Sequence, residues 1–222
     1  MIVITGASDG VGLQLAKLYK SAGKQVVNIS LHDCEYANEN IVLDLSKGPE
    51  INKAAQQVKK LDGTVEAVIN CVGVYSEQKL GEITETEIKK VMSTNVKAPM
   101  LLVSLLIERI KKDEADILNM VSTAGTVGKK DNPLYSASKW AERGFTASLK
   151  EELKDTQCRV ISFCPGGIRT KFFEKALGRD TSQEDWMRPE DIAMFIKQIL
   201  DLPKNMEVSE VIINRKSTKK GK

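Results

Sequence analysis

Histidine is nearly absent from this sequence of 222 residues, in which His32 is the only one. A Ser-His-Asp or Cys-His hydrolase would therefore have to use His32, and a metal centre with several histidine ligands is excluded. The four cysteines form no CxxC pair and no metal-ligand spacing. We therefore expect no metal site and a reducing, cytoplasmic setting. Any proton chemistry must be carried by another type of side chain.

Long uncharged apolar segments are also missing, since no stretch approaches the roughly 18 residues that a membrane span needs. The opening MIVIT reads as a buried strand, so we expect no signal peptide. Five of the 33 basic residues lie in the last eight positions. The rest of the chain has 28 basic and 30 acidic residues, which gives it a net charge of −2. This balance does not favour a nucleic-acid partner. We interpret residues 1–214 as one domain and 215–222 as a mobile basic tail, for which contact with an acidic partner or membrane surface is the alternative.

Short apolar runs alternate with longer amphipathic segments along the whole chain. The runs are mostly continuous, which is typical of parallel strands covered on both faces. Pro49, Pro99 and Pro189 predict helix starts, and Thr84 with Glu87 predicts a capping box before the helix 88–94. The order predicts an α/β fold, a doubly wound parallel sheet of about seven strands with helices on both faces. The predicted strands are 1–5, 25–30, 40–43, 65–70, 115–121, 158–164 and 208–213, and the main helices are 50–60, 88–94, 100–110, 136–154 and 190–200.

A glycine-rich loop, VITGASDGVG at 3–12, joins the first predicted strand to the first helix. Its glycines permit a tight turn and let a pyrophosphate approach the helix N-terminus. A Walker loop is not indicated, because no Gly-Lys-Ser/Thr follows. The alternative is a glycine-rich turn without a ligand. The predicted dinucleotide contacts in this loop are Gly6, Ser8, Asp9, Gly10, Val11 and Gly12.

The second predicted strand ends in the sequence VVNISLHD. In dinucleotide-binding folds, the residues at this point determine the specificity for NAD or NADP. A carboxylate at this point binds the ribose 2′-hydroxyl of NAD, whereas a nearby arginine accommodates the 2′-phosphate of NADP. Ser30, Leu31 and His32 occupy the position, and a serine hydroxyl can donate a hydrogen bond to a phosphate. Asp33 is a weaker candidate for NAD. The residues alone leave both cofactors open.

Six motifs, in this order, resemble those of the short-chain dehydrogenase/reductase family over nearly the whole chain. TGASDGVG is similar to the family's TGxxxGxG, and YSASK at 135–139 to its YxxxK. NCVG at 70–73 resembles NNAG with two substitutions, and PGGIRT at 165–170 resembles PGxxxT. Asn95 in STNVKAP and Ser122 in VSTAG stand where the family keeps an asparagine and a serine.

The resemblance implies a Rossmann-like NAD(P)-dependent enzyme that interconverts a carbonyl compound and an alcohol. Tyr135 would act as general acid in reduction and as base in oxidation. Lys139, one helical turn away, would lower the pKa of the phenol and bind the nicotinamide ribose. Ser122 would position the substrate oxygen, and Asn95 would hold a water that links Lys139 to solvent. The alternative is a non-catalytic dinucleotide-binding sensor or scaffold of the same fold.

The cofactor preference implied by the resemblance is NADP(H). Members that use NAD typically end the second strand in aspartate, where this chain has Ser30, although the basic residue that many NADP users carry is replaced by Asp9 and Leu31. Further implied cofactor contacts are Ser30, Leu31, His32, Asp44, Leu45, Asn70, Val72, Gly73, Tyr135, Lys139, Pro165, Gly166, Ile168 and Thr170.

The resemblance also implies a small-molecule substrate, no nucleic-acid or membrane partner, and a homodimer or homotetramer formed through helices 100–110 and 136–154. Residues 171–187 correspond to the family's substrate lid. Phe172, Phe173 and Trp186 would cover an apolar substrate there, or would simply pack a partly helical loop.

Overall fold

Seven parallel strands form one sheet in the computed structural model, which describes residues 1–178, 180 and 185–216. The spatial order is β3-β2-β1-β4-β5-β6-β7, and every strand ends within two residues of its predicted bounds. The predicted fold class is therefore confirmed. The strands are β1 Ile2–Thr5, β2 Val26–Ser30, β3 Glu39–Val42, β4 Ala67–Asn70, β5 Asp116–Met120, β6 Val160–Pro165 and β7 Glu210–Ile213.

Helices connect the strands and cover both faces of the sheet. A π-helical turn, Ser93–Lys97, joins α3 to α4, and a short 3-10 helix, Thr123–Gly125, follows β5. The helices are α1 Gly10–Ser21, α2 Gly48–Lys60, α3 Glu85–Met92, α4 Ala98–Asp113, α5 Pro133–Leu153, α6 Lys171–Leu177 and α7 Pro189–Leu200.

Two apolar layers lie on opposite faces of the sheet. Val3 packs with residues of α2, α4 and α5, whereas its neighbours Ile2 and Ile4 pack with residues of α1 and α7. Successive side chains of a strand point to opposite faces, so a strand covered on both faces must be apolar at every position. This explains the continuous apolar runs of the sequence.

One continuous helix, Glu85–Asp113, is long and apolar enough to cross a membrane by length and composition alone. Leu102, Leu106 and Ile110 on its α4 segment are buried in the core against the sheet. The helix is apolar because it packs in the core of the protein.

The strand order reverses between β1 and β4, because β1 leads to β2 on one side and β4 follows on the other. A crevice at the carboxyl ends of the strands opens at such a switch point, and ligands of open α/β sheets bind there. The opposite edge of the sheet is closed by a buried ion pair, in which Arg159 Nη2 lies 2.7 Å from Asp116 Oδ2. The topology therefore predicts a ligand site at the carboxyl edge of the sheet.

Candidate active site

A cavity of about 420 Å³ opens at the carboxyl ends of the central strands. It begins at the glycine loop after β1, passes the end of β2 and the turn after β4, and reaches Ser122 and α5. Most residues predicted from the sequence line it. They are the six residues of the glycine loop, Ser30, Leu31, His32, Val72, Gly73, Ser122, Tyr135, Lys139, Pro165, Gly166, Ile168 and Thr170.

The glycine loop is shaped for close approach of a ligand to the first turn of α1. Gly6 adopts φ +73°, a conformation that L side chains rarely take. A Cβ atom on Gly12 would collide with the carbonyl oxygen of Gly6. Asp9 caps α1 by accepting a hydrogen bond of 2.8 Å from the amide of Gly10. Because backbone amides and the positive end of the helix dipole face this end of the cavity, the residues present fit a pyrophosphate.

The cavity wall at the end of β2 carries no carboxylate. Leu31 is 60% exposed there, and His32 lies beside it. The hydroxyl of Ser30 donates a hydrogen bond of 2.6 Å to the carbonyl oxygen of His32, so its proton points into the loop. Asp9 is the only acidic residue among the described residues that line the cavity.

Tyr135 and Lys139 lie one turn apart on α5, and both side chains are buried. The ammonium of Lys139 is 5.9 Å from the centre of the Tyr135 ring. Lys139 donates hydrogen bonds to the carbonyl oxygen of Met120 at 2.9 Å and to Glu142 Oε2 at 2.6 Å. Gly125 lets the 3-10 helix pack on α5, since a Cβ there would lie 2.6 Å from the carbonyl oxygen of Lys139.

The phenol of Tyr135 is more weakly acidic here than in water. Burial is the main cause and raises its pKa, whereas the ammonium of Lys139 and the hydroxyl of Ser122 lower it by less. The expected effect of Lys139 is present in sign, but the expected net lowering of the pKa is not found. Tyr135 is therefore protonated at neutral pH, the state that can donate a proton.

The amide of Asn95 lies behind the cavity and is fully engaged. Its Oδ1 accepts a hydrogen bond from the amide of Val74 at 2.8 Å, and its Nδ2 donates to the carbonyl oxygen of Val74 and to Ser138 Oγ. Ser138 Oγ in turn donates to the carbonyl oxygen of Tyr135 at 2.7 Å. A water held by Asn95 would thus have to bind its backbone, because the side chain ties the turn after β4 to α5.

Three predicted cofactor contacts lie outside the cavity, as Asn95 does. The carboxylate of Asp44 accepts a hydrogen bond from the amide of Ser46 and pairs with Lys47, and Leu45 is buried in the core. Asn70 is buried in β4, where its Nδ2 donates to Asn119 Oδ1 at 2.8 Å. These side chains serve the local structure.

Aromatic side chains cover the end of the cavity beside Tyr135, and among them only Tyr75 was not indicated by the sequence. The ring of Tyr75 lies 4.9 Å from that of Tyr135 and 5.2 Å from that of Phe173. Its hydroxyl accepts a hydrogen bond from Asn132 Nδ2 at 2.7 Å. Phe173 continues the contact to Trp186, at 4.8 Å. The only sequence signal for Tyr75 was an aromatic residue two positions after NCVG.

The short chain dehydrogenase family matches this chain over residues 1–180. An uncharacterized oxidoreductase of Thermotoga maritima is 31% identical over 183 residues, which cover 77% of this chain and 72% of that protein. Carbonyl reductase family member 4 of Danio rerio is 27% identical over 217 residues, 91% and 92% of the two chains. A short-chain dehydrogenase/reductase from Vibrio parahaemolyticus has a similar structure, with a TM-score of 0.84 and 28% sequence identity. The match covers 98% of this chain and 100% of that one.

The family match and the relatives named oxidoreductases place this fold in the class of NAD(P)-dependent oxidoreductases. The chain belongs to the short-chain dehydrogenase/reductase family, as the order of its six motifs indicates.

Proposed function

We propose that this protein reduces small apolar ketones or aldehydes to alcohols with NADPH, and that Tyr135 is the general acid. The observation that carries the proposal is a buried Tyr135 at the wall of the cavity, beside Ser122 and Lys139. A relative named carbonyl reductase supports the class of substrate.

The roles of the side chains follow from their positions. A bound nicotinamide cofactor supplies the hydride. Ser122 Oγ, at the end of β5, accepts a hydrogen bond from the amide of Ala124 at 3.1 Å. Its hydroxyl also lies within hydrogen-bond reach of Tyr135, so a substrate oxygen placed between the two hydroxyls would accept from both. Tyr135 donates its proton to that oxygen as negative charge develops. The ammonium of Lys139 stabilises the phenolate that remains.

The walls of the cavity beside Tyr135 indicate an apolar substrate. Tyr75, Phe172 and Phe173 line it, and the rings of the two phenylalanines meet edge to face at 5.0 Å. Apart from Lys139, the charged residues of the described lining are Asp9 on the glycine loop and Lys90 on α3. A polar sugar would leave its hydroxyls without partners against these rings, which costs binding free energy.

The proposed preference for NADPH rests on the end of β2. A carboxylate there would repel a 2′-phosphate, and this chain has Ser30, Leu31 and His32 instead. The imidazole of His32 can donate a hydrogen bond to a phosphate oxygen.

The test is the substitution Tyr135→Phe, assayed for NADPH oxidation with a panel of aromatic, alkyl and sugar carbonyl compounds. We expect kcat to fall about a hundredfold or more, because general acid catalysis is lost. Cofactor binding should stay nearly unchanged. Tyr36→Phe is the matched control, because that ring lies near Lys17 and outside the cavity.

Near-normal turnover by Tyr135→Phe would overturn the role of Tyr135. Binding of reduced cofactor by the unaltered protein, without oxidation by any compound of the panel, would favour a non-catalytic sensor or scaffold.

A further inference from the structure

A buried carboxylate that the proposed mechanism does not use lies directly behind Lys139. Glu142 follows Lys139 by three positions on α5, and the side chains of the two residues are 4% and 1% exposed, with 2.6 Å between Nζ and Oε2. This distance is that of a charge-assisted hydrogen bond. No motif pointed to this residue.

We propose that Glu142 is a positioning residue of the active site, whose carboxylate anchors the ammonium of Lys139 and keeps it charged away from water. The inference rests on the proposed function, because it concerns the lysine that serves Tyr135.

The geometry supports an anchor. An ammonium group has three N–H bonds, and Lys139 directs two of them to the carbonyl oxygen of Met120 and to Glu142. The carbonyl is fixed at the end of β5, and Glu142 is held on the same helix. The third N–H is then left for the cavity side, where Lys139 is part of the wall.

The charge of Glu142 also matters, because an isolated buried ammonium is costly. Burial by itself lowers the pKa of Lys139, but the carboxylate of Glu142 and the phenol of Tyr135 outweigh it and hold the pKa above its usual value. Burial raises the pKa of Glu142, and Lys139 opposes that shift. The carboxylate in addition raises the pKa of Tyr135, against the effect of Lys139.

The other titratable groups around this pair are neutral or paired elsewhere. Burial raises the pKa of Cys71, after β4, to about 12 and also raises that of Cys164 on β6 and of Tyr75. Arg143, next in the chain, makes a surface pair with Glu210 at 2.6 Å. Among the described residues, Glu142 is thus the only carboxylate in contact with the ammonium of Lys139.

Loss of the Glu142 carboxylate would change two ionisations on which carbonyl reduction depends. Reduction requires a protonated Tyr135 and a charged Lys139. Removing the carboxylate of Glu142 lowers the pKa of Lys139 and also lowers that of Tyr135. Both changes bring the loss of activity at high pH to a lower pH.

The experiment compares pH profiles of kcat for carbonyl reduction in the unaltered protein and Glu142→Gln. We expect the fall of kcat at high pH, the alkaline limb of the profile, to occur at a pH lower by about one unit or more in Glu142→Gln. The substitution Glu142→Asp retains the charge and should return the limb toward that of the unaltered protein. Glu152→Gln, an exposed position of the same helix, is the matched control and should leave the profile unchanged.

A second variant and a second readout separate this inference from the proposed function. Glu142→Leu removes the carboxylate without burying an unpaired amide, and should shift the limb in the same direction if Glu142→Gln does not fold. Ultraviolet titration of tyrosinate, with Tyr135→Phe subtracted, should show Tyr135 ionising at lower pH in either variant. Unshifted limbs and titrations would overturn the role of Glu142 even if Tyr135→Phe is inactive. Full activity of Tyr135→Phe would instead overturn the proposed function.

Discussion

The side chain of Asn95 joins two segments that are far apart in the chain. It holds the amide and the carbonyl of Val74, after β4, and the hydroxyl of Ser138 on α5. The residue is fully buried in the π-helical turn between α3 and α4. The family resemblance predicted a functional role for Asn95. In the structure its side chain holds together two backbone segments behind the cavity, the turn after β4 and helix α5.

We expect Asn95→Ala to lower the free energy of unfolding by about 2 kcal/mol, because it leaves buried backbone groups of Val74 without partners. Urea denaturation measures the change. Asn52→Ala is the control, since Asn52 is exposed and its side chain donates to the carbonyl of Gly48 on its own helix. This substitution should cost about 0.5 kcal/mol or less. Equal losses in the two variants would contradict the role given to Asn95.

Helix α3 leads directly into the π-helical turn that holds Asn95. The start of this helix differs in part from the predicted capping box. Thr84 Oγ1 accepts a hydrogen bond of 3.2 Å from the amide of Glu87, as expected. The amide of Thr84 donates to Gln78 Oε1 at 3.2 Å, whereas the carboxylate of Glu87 faces Lys90. A residue from the preceding loop therefore supplies the second half of the cap. The sequence spacing could not reveal this, because the conformation of the loop decides whether Gln78 or Glu87 brings its side-chain oxygen to the amide of Thr84.

Thr84→Ala removes the cap of α3 and should lower the free energy of unfolding by about 1 kcal/mol. Thr84→Ser keeps a hydroxyl at the same place and should cost much less. Chemical denaturation of both variants measures the difference. Similar losses would show that the contribution of Thr84 comes from its methyl group.

The cavity proposed for the cofactor is a feature of the whole molecule, since the glycine loop, the end of β2 and the turn after β4 line it together. A ligand that binds only the folded state stabilises it by about 2.7 kcal/mol at a hundred times its Kd. For a chain of this size, that raises Tm by about 5 to 10 °C.

We expect NADPH to raise Tm more than NADH at equal concentration, as measured by thermal unfolding. Leu31→Arg adds a cation at an exposed position at the end of β2 and should enlarge the shift with NADPH alone. A larger shift with NADH in the unaltered protein would show that the proposed preference is wrong.

The sequence by itself determined the parallel sheet, the glycine loop and the pairing of Tyr135 with Lys139. These features are local. Continuous apolar runs indicate strands that are buried on both faces, and one helical turn sets the spacing of Tyr135 and Lys139. Position along the chain was enough for them, because carboxyl ends of parallel strands meet at one edge.

Only the tertiary structure decided what surrounds that pair. Tyr75 comes from a distant loop, and the burial it helps to create raises the pKa of Tyr135 instead of lowering it. The carboxylate of Glu142 gains its importance in the same way, since the same three-residue spacing on an exposed helix would give a weak surface pair. Desolvation depends on segments that are remote in the sequence, and it determines how strongly buried charges act on each other.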